Sequence, residues 1–166
     1  MWIRDSLRTV FETLEAENDD DVPILVKIGP DSPEESMLDL VDIVEECDLD
    51  GIVATNTTTS REGLESPRGE EWGGLSGNPL RERSTSAIRT LARHTDDDLP
   101  IVGVGGVDSA RSAYEKIRAG ASLVQLYTGF VYGGPRTAKR INQGLVELLE
   151  RDEFSSVEDA VGADLE

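Results

Sequence analysis

The sequence predicts an α/β fold of four parallel strand–helix units, half of an eight-stranded α/β barrel, and three observations lead there. Four short apolar runs, Ile24–Val26, Ile52–Ala54, Ile101–Val104 and Leu123–Leu126, are continuous rather than alternating, as parallel strands buried on both faces are. Helical patterns separate them at spacings that suit right-handed βαβ units. Each run also ends in chemically specialised residues: Lys27, Thr55-Asn56-Thr57, Gly105-Gly106 and Tyr127-Thr128-Gly129. Ligand chemistry in α/β barrels collects at the C-terminal ends of the strands, so function is sought there. A four-stranded parallel half left alone has two open edges, so either the sheet is an open doubly wound one or the chain is incomplete.

Each element has its own local reason. Leu7, Val10, Phe11 and Leu14 recur at i, i+3, i+4 and i+7, which predicts an amphipathic first helix, ended by the polar stretch Glu15–Asp21. After the first strand, Ser32-Pro33-Glu34-Glu35 combines an N-cap serine, a first-turn proline and a capping-box glutamate ahead of the stripe Met37, Leu40, Val41, Val44. A long loop is expected from about Thr58 to Arg83, with helix resuming around Ile88, Leu91 and Ala92. Asp108 is placed to cap the helix after the third strand, and Gly120 to end it as a C′ glycine. Ile141, Leu145, Leu148 and Leu149 mark the last long helix.

Composition narrows the class of protein. The chain has 166 residues, enough for one sizeable core, and nothing marks a second domain within residues 1–166. Its 34 acidic residues against 16 basic ones give a formal charge of −18, which repels phosphodiester backbones and anionic lipid. Nucleic acid is therefore not an expected partner. Only Lys27, Lys116 and Lys139 are lysines, and the acidic residues are spread along the chain. That pattern suits a cytoplasm of very high salt, where screening shortens self-repulsion to a few ångströms; an acidic protein of ordinary salt is the alternative. Cys47 is the only cysteine, which excludes an internal disulfide and a cysteine-built zinc site and suggests a buried helix thiol. No run approaches the length needed to span a bilayer.

The strand ends carry the candidate chemistry. Gly105-Gly106 precedes a helix, so backbone N–H groups can approach an anion there without Cβ obstruction, and Tyr127-Thr128-Gly129 follows one unit later. Paired loops after consecutive strands resemble a barrel phosphate site; two ordinary glycine turns are the alternative. Lys27 can stabilise negative charge on a bound anion or reduced cofactor ring, or simply snorkel from the rim. Asn56 can hydrogen-bond a planar polar ligand, or form an Asx turn. Gly73-Gly74-Leu75-Ser76-Gly77 lets backbone pass close to a ligand, or is a flexible loop. His94 is read as meeting a helix dipole, and the runs Asp19–Asp21 and Asp96–Asp98 as solvated surface. No Ser/His/Asp arrangement or metal cluster is visible.

Joined together, the stretches Pro23–Asp31, Thr55–Thr58, Gly73–Gly77 with Asn78-Pro79-Leu80-Arg81, Ile101–Gly106 and Arg118–Tyr132 resemble dihydroorotate dehydrogenase. Leu126-Tyr127-Thr128-Gly129-Phe130, Gly133-Gly134-Pro135 and Val157–Asp164 resemble its class 2, quinone-dependent branch; Glu153, where that family usually has Gly, is a small departure. The resemblance implies an FMN-binding (β/α)8 TIM barrel that oxidises dihydroorotate to orotate for pyrimidine biosynthesis and passes electrons to quinone. These strands would be its fifth to eighth. Lys27 would then sit beside the flavin's pyrimidine edge, Thr55 would contact FMN, and Asn56 and Thr57 would hold the substrate pyrimidine. Gly77 and Gly106 would admit the cofactor, Tyr127 and Thr128 would complete its phosphate cradle, and Ser76 is a further candidate. The family's serine base, its quinone tunnel and its membrane-touching N-terminal helices belong to the other half. The resemblance thus implies a C-terminal half of a cytoplasmic enzyme, peripheral at the cell membrane when those helices are attached, with no catalytic base of its own and closed by the missing half or a second copy. A self-associating, non-catalytic half-barrel that binds phosphate or flavin is the other reading.

Overall fold

The computed structural model describes residues 2–20, 22–67, 69, 71–95 and 99–165. Helix α1 (Trp2–Ala16) precedes four units: β1 (Leu25–Ile28) with α2 (Glu34–Glu46), β2 (Gly51–Ala54) with α3 (Arg81–Ala92), β3 (Ile101–Val104) with α4 (Ala110–Arg118), and β4 (Leu123–Gln125) with α5 (Thr128–Gly133) and α6 (Thr137–Arg151). Single 3₁₀ turns occur at Asn78–Leu80 and Glu158–Ala160. The strands form one parallel sheet in the order β1-β2-β3-β4.

The register shows which face the helices cover. Val26, Ile52 and Ile101 are laterally paired, as are Ile28, Ala54, Gly103 and Val124. The side chains of this set pack with residues of α1 to α4 and α6, chiefly Phe11, Val41, Val44, Ile88, Leu91 and Ile141. The helices α1 to α4 and α6 therefore lie on one face, which excludes the doubly wound sheet that pattern alone left open and matches a half-barrel with an unclosed inner face. On that inner face the edge residues Leu25 and Leu123 are 39% and 61% exposed.

Several local expectations are corrected. Lys27 lies within β1 rather than after it, and β4 stops at Gln125, one residue before Leu126. The Ser32 capping box does not form: Pro33 occupies the N-cap position, its carbonyl accepts from Met37 N–H, and Glu34 and Glu35 face the positive end of α2 from its first turn. The loop after β2 ends at Gly77, because Asn78–Leu80, with Pro79 in its first turn, forms a 3₁₀ turn that runs directly into α3. Ser109, not Asp108, caps α4, in a reciprocal box with Ser112, whose hydroxyl donates to the Asp108 carboxylate. Helix α5 was not visible in the sequence, since Thr128–Gly133 is too short and glycine-rich to show a period. Val10 and Leu14 of the first stripe are about half exposed although Phe11 is buried. Cys47 is a half-buried C-cap residue, and His94 bonds Asp42 of α2 at 3.0 Å. Asp19 and Asp20 are exposed, while Asp21 and Asp96–Asp98 lie outside the described residues.

Gly120 does end α4. Its N–H bonds the Ile117 carbonyl, Ala121 N–H bonds that of Lys116, and φ is 114°, so the chain leaves by a Schellman turn. The segment after α6 is strapped to the same helix end. Arg118 donates twice to Asp164, at 2.5 and 2.9 Å, and once to Asp152, at 3.3 Å, with its guanidinium over the rings of Tyr114 and Phe154. Backbone bonds from Gly162 to Ile117 and from Asp164 to Arg118 complete the strap.

Candidate functional site

The C-terminal strand ends surround one open cleft of about 550 Å³. All eight residues singled out from the sequence line it: Lys27 from β1, Thr55, Asn56 and Thr57 after β2, Gly77 before the 3₁₀ turn, Gly106 after β3, and Tyr127 and Thr128 after β4. Ser76 lines it too. Gln125 was missed. It lies on the inner face with Lys27, as the pairing of Lys27 with Val53, Val53 with Val102, and Val104 with Gln125 requires. A polar residue inside the apolar run Leu123–Leu126 was the signal for it.

Backbone bonds fix the floor. Thr55 N–H donates to the Val104 carbonyl and Asn56 N–H to that of Ile28, so these residues are held against both neighbouring strands. Thr55 is 2% exposed, whereas Asn56 and Thr57 are open to the cleft. The Asn56 side-chain oxygen accepts from Thr57 N–H at 2.9 Å, so the local turn occurs, but it leaves the amide's NH₂ without an acceptor among the described residues. Lys27 is the only charged side chain among the described residues lining the cleft. In a chain of formal charge −18, a lone cation there makes the cleft suited to an anion.

The glycines are explained by their neighbours as much as by any ligand. Gly77 has φ of 83°, and a Cβ there would lie 3.0 Å from Thr128 Cγ2. Gly106 has φ of 70°, and its Cβ would come 2.8 Å from the backbone nitrogen of Arg81. A Cβ on Gly74 would collide with Thr57 Oγ1. Ser76 and Thr128 share a hydroxyl bond of 2.8 Å that ties the glycine loop to the start of α5. The N–H groups of Gly106, Thr128 and Gly129 have no acceptor among the described residues.

Asp31, which the sequence reading passed over, braces the far wall. Its carboxylate accepts from the Thr58 hydroxyl at 2.5 Å, from Thr59 N–H at 2.7 Å and hydroxyl at 3.0 Å, and from Arg83 at 2.7 Å. Thr58 in turn pairs with Leu75 through two backbone bonds, and Arg61 holds the carbonyls of Glu71 and Gly73. The Thr58 bond, with those from Thr59 and Arg83, outweighs desolvation and lowers the Asp31 pKa to about 2. A carboxylate depressed in the folded state contributes stability above its ordinary pKa and loses it as pH falls toward the folded value. Asp31→Asn is therefore expected to flatten the acid limb between about pH 4 and pH 2 in thermal unfolding and to raise amide exchange across residues 58–77 at neutral pH.

Among the described residues no group of three His, Cys, Asp or Glu side chains could hold a metal ion, and no helix is long and apolar enough to cross a membrane. A family model described as "Dihydroorotate dehydrogenase" matches residues 4–149. The chain belongs to the dihydroorotate dehydrogenase family. Among curated proteins, one named dihydroorotate dehydrogenase (quinone) from Halobacterium salinarum is 58% identical over 98% of this chain and 46% of its own length. One of the same name from Synechocystis is 46% identical over 96% of this chain and 44% of its own length. The chain thus spans about half the length of the curated relatives it matches. Similarity to haloarchaeal relatives agrees with the acidic, lysine-poor composition. The crystal structure of the Eimeria tenella dihydroorotate dehydrogenase in complex with ferulenol superposes with a TM-score of 0.92 at 34% identity, covering 97% of this chain and 48% of that one. The four units are half of that family's TIM barrel.

Proposed function

We propose that the cleft is the flavin side of a quinone-dependent dihydroorotate dehydrogenase, and that the chain is the C-terminal, partial barrel domain of such an enzyme. The observation that carries this reading is the convergence of all eight candidate residues, from four strand ends, on one cleft whose charged group is Lys27. Members of this family are flavoproteins, and the residues here fit FMN. Unpartnered N–H groups of Gly106, Thr128 and Gly129 suit the phosphate together with Tyr127 and Thr128, while Gly77 keeps the approach open. Lys27 suits the pyrimidine edge, where positive charge favours the anionic reduced ring. Thr55 would contact the cofactor, and the Asn56 amide with the Thr57 hydroxyl would orient the substrate's pyrimidine. When bound, the flavin supplies the two-electron acceptor for oxidation of dihydroorotate to orotate, which serves pyrimidine synthesis, with quinone as the final acceptor.

Proton removal at C5 of the substrate falls to a serine of the other barrel half, whose strands would pair with β1 and β4 and cover Leu25 and Leu123. The N-terminal helices of the whole enzyme would bring it to the cytoplasmic face of the membrane. Co-expression with the first half of the Halobacterium salinarum relative tests this. We expect a one-to-one complex with bound flavin that oxidises dihydroorotate, and Lys27→Ala in it to weaken FMN binding at least tenfold, about 1.4 kcal/mol. A folded complex without flavin would overturn the proposal. The same open edges support self-association as a second reading, for which a homogeneous homodimer of the lone chain in sedimentation would speak.

A further inference from the structure

Lys116 is the only charged side chain fully buried among the described residues, and no role is yet given to it. It lies on α4 between α3 and β3, with Nζ 3.0 Å from Ser84 Oγ and 3.1 Å from Thr85 Oγ1. Ser84 donates its own proton to the Val104 carbonyl at 2.6 Å, and Thr85 donates to that of Arg81 at 2.9 Å. Both hydroxyl oxygens are thereby left as acceptors, so the lysine is the donor in both bonds. Its neighbour Glu115 gives its carboxylate to Arg81 and Arg111. A buried amine without a carboxylate is costly and persists where it holds something in place.

What it holds is the residue before the glycine turn of the cleft. We propose that Lys116 is a positioning residue for that turn: through Ser84 it fixes the Val104 carbonyl, and with it the Gly105-Gly106 backbone that faces the bound anion. The proposal rests on the cleft being an anion site. A Cβ added at Gly105 would lie 3.0 Å from Ser84 Cβ, so the serine packs directly beside the turn. Burial, then repulsion by Arg81, pushes the Lys116 pKa down to about 8, with Glu115 opposing. Glu82 and Arg89 of α3 and Asp164 of the C-terminal segment line the same outer groove as Arg81 and Glu115, and β3 brings no charge. An anion on the turn favours the charged amine, so affinity should be greatest below pH 8 and fall above it.

The test uses the 166-residue chain with Lys116→Met and Ser84→Ala. In amide NMR spectra the Gly105 and Gly106 signals are expected to titrate with a midpoint near pH 8 in the parent chain and not in Lys116→Met. FMN should bind about tenfold more weakly to either variant at pH 7 and lose its dependence on pH above 8 in Lys116→Met. Ser84→Ala repeats the comparison should the methionine variant unfold. Glycine signals indifferent to pH in the parent chain, or equal FMN affinity in parent and variants, would overturn the proposal. If the titration is present and FMN binds neither the chain nor its complex with the complementary half, the cleft reading fails while the link between Lys116 and the turn stands.

Discussion

Gly106→Ala is expected to destabilise the chain by about 3 kcal/mol and lower its melting temperature by about 10 °C. Two costs combine. A φ of 70° is left-handed, which a residue with a Cβ adopts at about 1 kcal/mol. The added carbon also meets backbone rather than a flexible side-chain tip, with Arg81 N 2.8 Å away at the junction of the 3₁₀ turn and α3. Neither segment can yield alone, because α3 is anchored by the fully buried Ile88 and Leu91. Gly134→Ala is the internal control: its φ is 74°, but no atom lies within 4 Å of the added Cβ. Its loss should stay near 1 kcal/mol in urea unfolding. Equal losses at the two positions would show that the contact with Arg81 contributes nothing.

Arg118→Leu is expected to release the C-terminal segment. The substitution removes two bonds to Asp164 and one to Asp152 and takes the cation from between two rings. The guanidinium side chain is 25% exposed, so solvent screening discounts these contacts, and about 2 kcal/mol is the expected loss. The loss should be local. Ala160 and Val161 pack on Tyr114 and Ile117 only while the strap holds, so amide exchange should rise across residues 157–165 and at the end of α4 while β2 and β3 stay protected. Limited proteolysis should cut first in the same stretch.

Strand positions were legible to within a residue because β2 is buried along its whole length and β3 at all but its last residue, and continuous apolar runs report that directly. The strand-end residues were legible for the same reason, since fixing where a strand stops fixes what faces the cleft. Helix starts were less so. Ser32 and Asp108 are good caps by type, yet Pro33 and Ser109 took the position, because competing caps one residue apart are chosen by the tertiary path of the loop. Asp31 and Lys116 were out of reach for another reason. Each acts on groups far along the chain, Asp31 on Thr58 and Arg83 and Lys116 on Ser84, and such pairs exist only once the units have stacked.

The one-sided placement of the helices has a further consequence. Every strand contributes its helix-facing residues to contacts made within this chain, while Val10 and Leu14 of α1 and Val146 of α6 stay about half exposed on the outer layer. A complementary half of the kind proposed above would have to match chiefly two backbone seams, at β1 and β4, and the lining of the inner face. On that proposal a half built this way would act as an exchangeable cassette: complementary halves from different family members could be joined across those seams with little redesign of the layer beneath, and the inner lining would chiefly decide whether the hybrid works.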